Sequence, residues 1–291
     1  MPSVRARAPA SSANLGPGFD TLAVALALHV EVTVEDADAL TVVTEGEGSE
    51  LPADASHLAA RIAAGVVGHD RLRVTVRSAI PVGRGLGSSA ALAAAAAAAA
   101  GAPDPLAVAI ATDGHPDNAA ATVLGGLVAA ATVDGAAVTR RLPLDPGLAF
   151  VVLVPERRLP TEEARGALPA TVPHADAAFN LGRLAHQQPA VGQAGDEQGQ
   201  AAEDRLHQAQ RAPLFPEAAA LLDGLVEAGA LASCWSGAGP SLLGVCDAEG
   251  ADDVRARGDE LLAAAGVPGR ALRLAPDLDG LVVDGTPVAV G

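Results

Sequence analysis

Pro81-Val-Gly-Arg-Gly-Leu-Gly-Ser-Ser-Ala-Ala91 is the stretch that decides how this chain folds. It follows an alternating, β-branched segment, Leu72-Arg-Val-Thr-Val-Arg77, and leads through Leu92 into an almost unbroken run of alanines. The order is strand, glycine-rich loop, helix, an arrangement that makes an anion site from backbone alone. Gly83, Gly85 and Gly87 permit positive φ and let the main chain come close to a phosphate. The hydroxyls of Ser88 and Ser89 sit where a helix begins, placed to cap it, touch a phosphate or reach a metal ion. Alanine has the highest helix propensity, so the helix and its dipole follow.

The loop differs from the common nucleotide loops. A Walker loop needs a lysine, and all 19 basic residues of this chain are arginine. A dinucleotide fingerprint needs Gly-x-Gly-x-x-Gly with an acidic residue about 20 positions on. Here the glycines alternate, and that distance reaches only alanine helix and then Gly101-Ala-Pro-Asp104. A plain helix cap in a tight connection is the structural alternative; three glycines, two serines and a long helix favour phosphate binding.

A chain of 291 residues has ample length for one large domain or two moderate ones. Its net charge of −16 argues against nucleic acid or an anionic membrane as partner, so an anionic ligand must be held by local arginines and helix N-termini. No apolar run of membrane-spanning length occurs, and the N-terminus, Met-Pro-Ser-Val-Arg-Ala-Arg, lacks a signal-peptide core, which predicts a cytoplasmic protein. Cys234 and Cys246 read as buried free thiols.

Strand patterns recur at 29–34, 40–44, 72–77, 125–133 and 148–154, and again in 231–246, 270–275 and 280–284. Helical patterns fall at 88–100, 105–112, 162–168, 174–185, 201–210 and 216–228, with a Gly/Pro-broken polar loop from His186 onward. The irregular alternation predicts an α+β fold. A boundary near 140–148 divides the chain into 1–145 and 146–291.

Four loops carry polar residues for which a core has no use. In Ala10 to Asp20, Gly16-Pro17-Gly18 forces a turn with Asn14 and Asp20 on either side, and an Asx-turn is the structural alternative. The serine loop is the second. The third, Asp113-Gly-His-Pro-Asp-Asn118, offers donors, acceptors and a possible base, against an ordinary Pro-Asp-Asn turn. The fourth, Ser236-Gly-Ala-Gly-Pro-Ser241, lies between short apolar runs; a hairpin turn explains it, as does backbone pressed against a ligand. Thr161 and Arg165 share a helical face, and Arg211 closes the run from Asp204. Either arginine can be a solvated charge or a two-pronged clamp for a carboxylate.

Together these stretches resemble the GHMP kinases. The family's phosphate loop, Pro-x-x-x-Gly-Leu-Gly-Ser-Ser-Ala-Ala, is matched throughout. Ser12 to Asp20, Gly114 to Asn118, Val172 to Asn180, Glu203 to Gln208, Arg211 to Leu214 and Ser236 to Ser241 are similar to the homoserine kinase branch, in order along the chain. The resemblance implies a two-domain fold with the active site in the cleft between the domains. It implies ATP phosphates on the loop, with Pro81, Gly83, Arg84, Gly85, Leu86, Gly87, Ser88, Ser89 and Ala90 around the nucleotide. It implies L-homoserine held by Asn14 and Asp20 at its amino end and by Arg165 and Arg211 at its carboxylate, with Thr161, His115, Asn118 and Gly237 in the same pocket. Asn118 would lie close to the reacting hydroxyl, Asp117 would position it or act as base, and Arg165 would assist. The product would be O-phospho-L-homoserine, on the route to threonine.

One departure stands out. The family places a glutamate before Gly-His-Pro-Asp-Asn as a Mg²⁺ ligand with a loop serine; this chain reads Ile110-Ala-Thr-Asp-Gly-His-Pro-Asp-Asn118, with Asp113 the only carboxylate in place. Ser89 and Asp113 are therefore the expected ligands of Mg²⁺, with a shorter reach than glutamate gives. Two other readings fit: a family kinase of another small alcohol, and a nucleotide-binding member without catalysis. A homodimer is plausible by analogy with the family.

Overall fold

The computed structural model describes residues 1–190 and 202–288. Its first sheet is organised by two long antiparallel strands, β1 (Val4–Ala13) and β2 (Leu22–Asp36). Their register shifts between Pro9 and Ala10, where proline has no N–H for the ladder. The far half of β2 pairs with β4 (Leu72–Ser78), which runs parallel to β3 (Thr41–Gly46). The near half pairs with β5 (Leu127–Val133), the first strand of a hairpin with β6 (Ala136–Leu142). Past the kink β1 stays paired with β2 as far as Ala13; there Ser11 meets the glycine-rich loop at Leu86 O, while Ser12 and Asn14 meet the turn at Ser236 and Gly237.

Beneath this sheet runs α2 (Ser88–Ala99), in which every residue from Ala93 to Ala99 is buried. A helix apolar on all sides belongs inside. Its methyl-sized side chains let α1 (Leu58–Val67), α3 (Pro105–Asp113), α4 (Pro116–Leu124), β1 and β2 all pack against it. The N-terminus of α2 is thereby fixed by the core around it.

The second sheet has the order β10 (Gly269–Leu274), β7 (Leu148–Pro155), β9 (Leu242–Asp247), β8 (Ala232–Trp235). β7 is buried end to end and alternates between two cores: Phe150 and Val152 face the first, Val151 and Leu153 the second. It is followed in the chain by the short α5 (Thr161–Gly166), the long α6 (His174–Ala190) and the short α7 (Gln208–Arg211). Helices α8 (Ala218–Glu227) and α9 (Ala251–Ala264) cover the outer face of the second sheet. After Leu274 the chain crosses back, and β11 (Val282–Val283) pairs with β1 and with β12 (Thr286–Pro287). No helix among the described residues is long and apolar enough to cross a membrane.

The α+β class agrees with the sequence reading, and several boundaries need correction. The polar stretch expected as one loop from Asp113 to Asn118 shrinks to Gly114 and His115, because Pro116 starts α4; proline is pre-set for a first helical turn. The helix expected at 201–210 is only Gln208–Arg211, since the Asp204 carboxylate accepts the N–H groups of Leu206, His207 and Gln208 and so delays helix entry. Helix α6 continues through His186 to Ala190 where a loop was expected; the rest of that loop, 191–199, lies outside the described residues. Strands β1 and β6 and helices α1 and α9 were not expected from the sequence.

Candidate active site

The glycine loop is held from three sides. Ser11 donates its N–H to Leu86 O (3.2 Å), the Ser236 hydroxyl donates to Gly85 O (2.7 Å), and Ser241 N–H donates to Arg84 O (3.2 Å). Gly85 and Gly87 both have positive φ, and a Cβ on either would collide with a neighbour: the Ser236 carbonyl oxygen for Gly85, the Ser11 hydroxyl for Gly87. Glycine is required at both places by backbone shape and by close approach. No side chain caps α2, so the N–H groups at its start are left for an anion.

That helix end opens into a cavity of about 230 Å³. It is lined by Gly83, Gly85, Leu86, Gly87, Ser88 and Ser89 of the glycine loop and helix start, and by Asn14, Asp20, Arg165, Arg211 and Gly237. Asp113, His115, Asp117, Asn118 and Thr161 line it too. The cavity thus gathers nearly every residue picked out in the sequence. Pro81, Arg84 and Ala90 are not among its walls. Arg84 reaches the other way, donating to Val82 O and Pro155 O (both 2.8 Å) and to Glu156 O, and with Pro81 it borders a separate hollow. Ala90 is wholly buried beneath the helix start. Arg84 therefore moors the loop to the second sheet.

At the substrate end, Asn14 takes a left-handed conformation (φ 71°) just past β1. Its amide donates to Gly237 O (2.9 Å) and its Oδ1 accepts the N–H of Asp20 (3.0 Å). The Asn14 side chain does close this loop, but onto the N–H six residues on and onto Gly237, not as the two-residue Asx-turn weighed from the sequence. Arg165, near the end of α5, grips Asp20 with both Nη atoms, at 2.7 and 3.2 Å, and its buried Nε has no partner among the described residues. Arg211 is 1% exposed. Its Nε donates to Ala164 O (3.3 Å) and its Nη1 to Gly237 O (3.1 Å), and burial followed by repulsion from Arg165 lowers its pKa to about 10. The ring of Phe19 lies under both guanidinium groups, 5.7 Å from that of Arg165 and 5.6 Å from that of Arg211.

The remaining wall is acidic. Asp113 ends α3 and Asp117 occupies the first turn of α4. Burial, and then the neighbouring charge of Asp117, raise the Asp113 pKa to about 6. Asp117 is also raised, by burial above all, against the opposing hydrogen bond from Asn118 N–H (2.7 Å). The Asn118 amide oxygen accepts from the Ser11 hydroxyl (2.8 Å), which ties α4 to the loop region. Among the described residues no group of three or more His, Cys, Asp or Glu side chains is arranged to hold a metal ion. A carboxylate with raised pKa and the Ser89 hydroxyl facing one cavity are nevertheless hard oxygen donors of the kind Mg²⁺ takes, and Mg²⁺ commonly draws its other ligands from phosphate and water.

Sequence reasoning gave no role to Ser11, Ser236, Phe19 and His207, which do not line the cavity but hold or touch residues that do. The serines carry no spacing signal, since each acts from a strand end or turn in a different part of the chain. His207 lay inside the stretch Glu203 to Gln208, which was noticed without a role.

A glycine loop at an uncapped helix, opposite paired arginines and beside two carboxylates with raised pKa, defines a phosphotransferase acting on a small polar molecule. Comparison with known proteins narrows that class. Residues 53–126 match the GHMP kinases N terminal domain and residues 185–264 the GHMP kinases C terminal domain. A homoserine kinase of Streptomyces coelicolor is 42% identical over 272 residues, 87% of this chain and 88% of that one. One from Moorella thermoacetica is 40% identical over 261 residues, covering 84% and 88%. The crystal structure of a homoserine kinase from Cytophaga hutchinsonii, at 24% identity, superposes with a TM-score of 0.84 over 97% of this chain and 98% of that one. The chain is an ATP-dependent kinase that belongs to the GHMP kinases and, within them, to the homoserine kinase family.

Proposed function

We propose that this kinase transfers the γ-phosphoryl group of ATP to the side-chain hydroxyl of L-homoserine, giving O-phospho-L-homoserine and ADP. The observation that carries this reading is that an uncapped helix N-terminus shares one cavity with Asn14, Asp20, Arg165 and Arg211. A zwitterionic amino acid suits that set of side chains: a carboxylate for an ammonium, guanidinium groups for a carboxylate. A sugar or mevalonate would use only part of it.

Phosphoryl transfer asks for positioning and charge neutralisation more than covalent chemistry. In this reading the backbone N–H groups from Gly87 to Ala90 carry the transferring phosphates, with Gly85 and Gly87 allowing close approach. Ser89 and Asp113 would hold Mg²⁺, which supplies charge neutralisation at the phosphates when bound. Asn118, fixed by Ser11, orients the hydroxyl. Asp117, buried and raised in pKa, stands ready to take the hydroxyl proton as phosphorus–oxygen bonding develops.

The test is ADP release with homoserine, threonine, mevalonate and galactose as acceptors, with ³¹P NMR of the product. Homoserine should give the highest kcat/KM and a phosphate-ester resonance. A better kcat/KM on mevalonate or galactose, or nucleotide binding with no acceptor-dependent ADP release, would overturn the assignment.

A further inference from the structure

We infer that His207 is a positioning residue: it presents Arg211 to the carboxylate of the substrate and locks the Gly16–Gly18 turn to it. The inference rests on the homoserine reading of the cavity and adds a residue that reading does not contain.

His207 has no exposed surface and immediately precedes α7. Its backbone is pinned by Asp204, whose carboxylate accepts the His207 N–H at 2.8 Å and those of Leu206 and Gln208 beside it. Asp204 is in turn held by the Asn180 amide (2.7 Å). The imidazole is bonded at both nitrogens. Nε2 lies 2.8 Å from Gly16 O, and a carbonyl only accepts, so Nε2 carries the proton. Nδ1 lies 3.0 Å from Arg211 Nη1, and a guanidinium only donates, so Nδ1 presents its lone pair. The two neighbours therefore dictate one neutral tautomer.

The charged groups facing the ring are Asp204, with Oδ2 3.8 Å from Nε2, together with Arg211 and Asp20. Burial and Arg211 outweigh the two carboxylates, and the ring's pKa falls to about 4. Phe19 stacks on the imidazole at 5.1 Å and 24°. The same phenyl ring lies beneath Arg165 and Arg211.

Of the Arg211 nitrogens, Nη1 and Nε are engaged by His207, Gly237 O and Ala164 O. Nη2 has no hydrogen bond among the described residues, and Arg211 lines the cavity. His207 thus orients the guanidinium from behind. Without an acceptor at Nδ1, Arg211 would be free to swing towards Asp20, whose charge already attracts it.

Two variants separate this role from mere packing. In His207→Asn the amide oxygen can stand near the Nδ1 position and keep the Arg211 contact. In His207→Gln the amide nitrogen can reach Gly16 O, and the acceptor for Arg211 is lost. Each is measured alone and in an Arg211→Ala background, with thermal melts to confirm folding. His207→Gln should raise the homoserine KM about tenfold, with the ATP KM within about twofold; His207→Asn should fall between it and the parent. In the Arg211→Ala background, His207→Gln should add less than about twofold. An equal rise in both backgrounds, an ATP KM rising in step with that of homoserine, or an unchanged homoserine KM in both single variants would overturn the inference. A parent enzyme that fails to phosphorylate homoserine would instead overturn the functional reading.

Discussion

Arg165 and Asp20 meet side chain to side chain, Nη2 2.7 Å from Oδ1 and Nη1 3.2 Å from Oδ2, although 145 residues separate them. Each is about one third exposed, so the pair is reachable from the cavity and adds little to stability. Its consequence is electrostatic. Asp20 raises the pKa of Asp117 and Arg165, the smaller influence, lowers it, so the two members of the pair oppose each other at the candidate base. An incoming amino acid can exchange with it, its ammonium on Asp20 and its carboxylate on the guanidinium.

Removing one member should unbalance the wall. Arg165→Ala leaves Asp20 uncompensated beside Asp117, and kcat/KM for homoserine should fall by roughly two orders of magnitude, as for loss of a charge-stabilising donor. Steady-state kinetics with homoserine and ATP varied in turn checks this. A loss confined to the ATP KM would place Arg165 elsewhere.

Arg211→Ala should raise the homoserine KM and leave ATP affinity nearly intact. The side chain lines the cavity and its hydrogen bonds go to Ala164 O, His207 and Gly237 O, none of them in the glycine loop. A change restricted to ATP would show that Arg211 serves the nucleotide.

Ser89→Ala should lower kcat and raise the Mg²⁺ concentration needed for half-maximal rate, with homoserine KM little changed. A Mg²⁺ titration of both proteins decides it. Identical titration curves would remove Ser89 from the metal.

Gly87→Ala should be destabilising by about 1–3 kcal/mol, because φ is +63° and the new Cβ would meet the Ser11 hydroxyl. Adding Ser11→Ala should recover part of that loss. Denaturant unfolding of the single and double variants measures it; no recovery would mean that strain at φ, and not the collision, is the whole effect.

The buried imidazole of His207 makes a signed pH prediction. Its folded-state pKa of about 4 is below the ordinary histidine value of 6.5, so the unfolded chain binds the proton more readily between those values. Its contribution to stability is present above pH 6.5 and is lost as pH falls towards 4. Stability should therefore rise with pH across that window, and the His207→Gln variant should show a shallower slope in urea midpoints. Equal slopes would mean that the ring takes up its proton as readily in the folded protein as in the unfolded chain.

Much of the site was legible because its chemistry is written in short, contiguous runs. The phosphate loop announces itself by three glycines before a helix-forming tract, and Asn14, Asp117 and Asn118 each lie within two residues of a glycine or proline. What was not legible depends on distant partners. The family resemblance places Arg84 around the nucleotide; its guanidinium bonds to the carbonyls of Pro155 and Glu156, at and just past the end of β7, could not be foreseen from the sequence. Strand β1 reads as unpatterned because Pro9 interrupts it and its buried residues are mostly alanine and serine. Hairpin strand β6 is largely exposed on both faces, so it has no period-two signal, and α9 is diluted by charge on its outer side.

The most direct test is a crystal structure with Mg²⁺, an unreactive ATP analogue and L-homoserine. The account predicts the triphosphate on the N–H groups from Gly87 to Ala90, the hydroxyl beside Asn118 in line with the γ-phosphorus, and the carboxylate on Arg211. A triphosphate seated instead in the hollow beside Pro81 and Arg84, or a cavity that admits neither ligand, would contradict it.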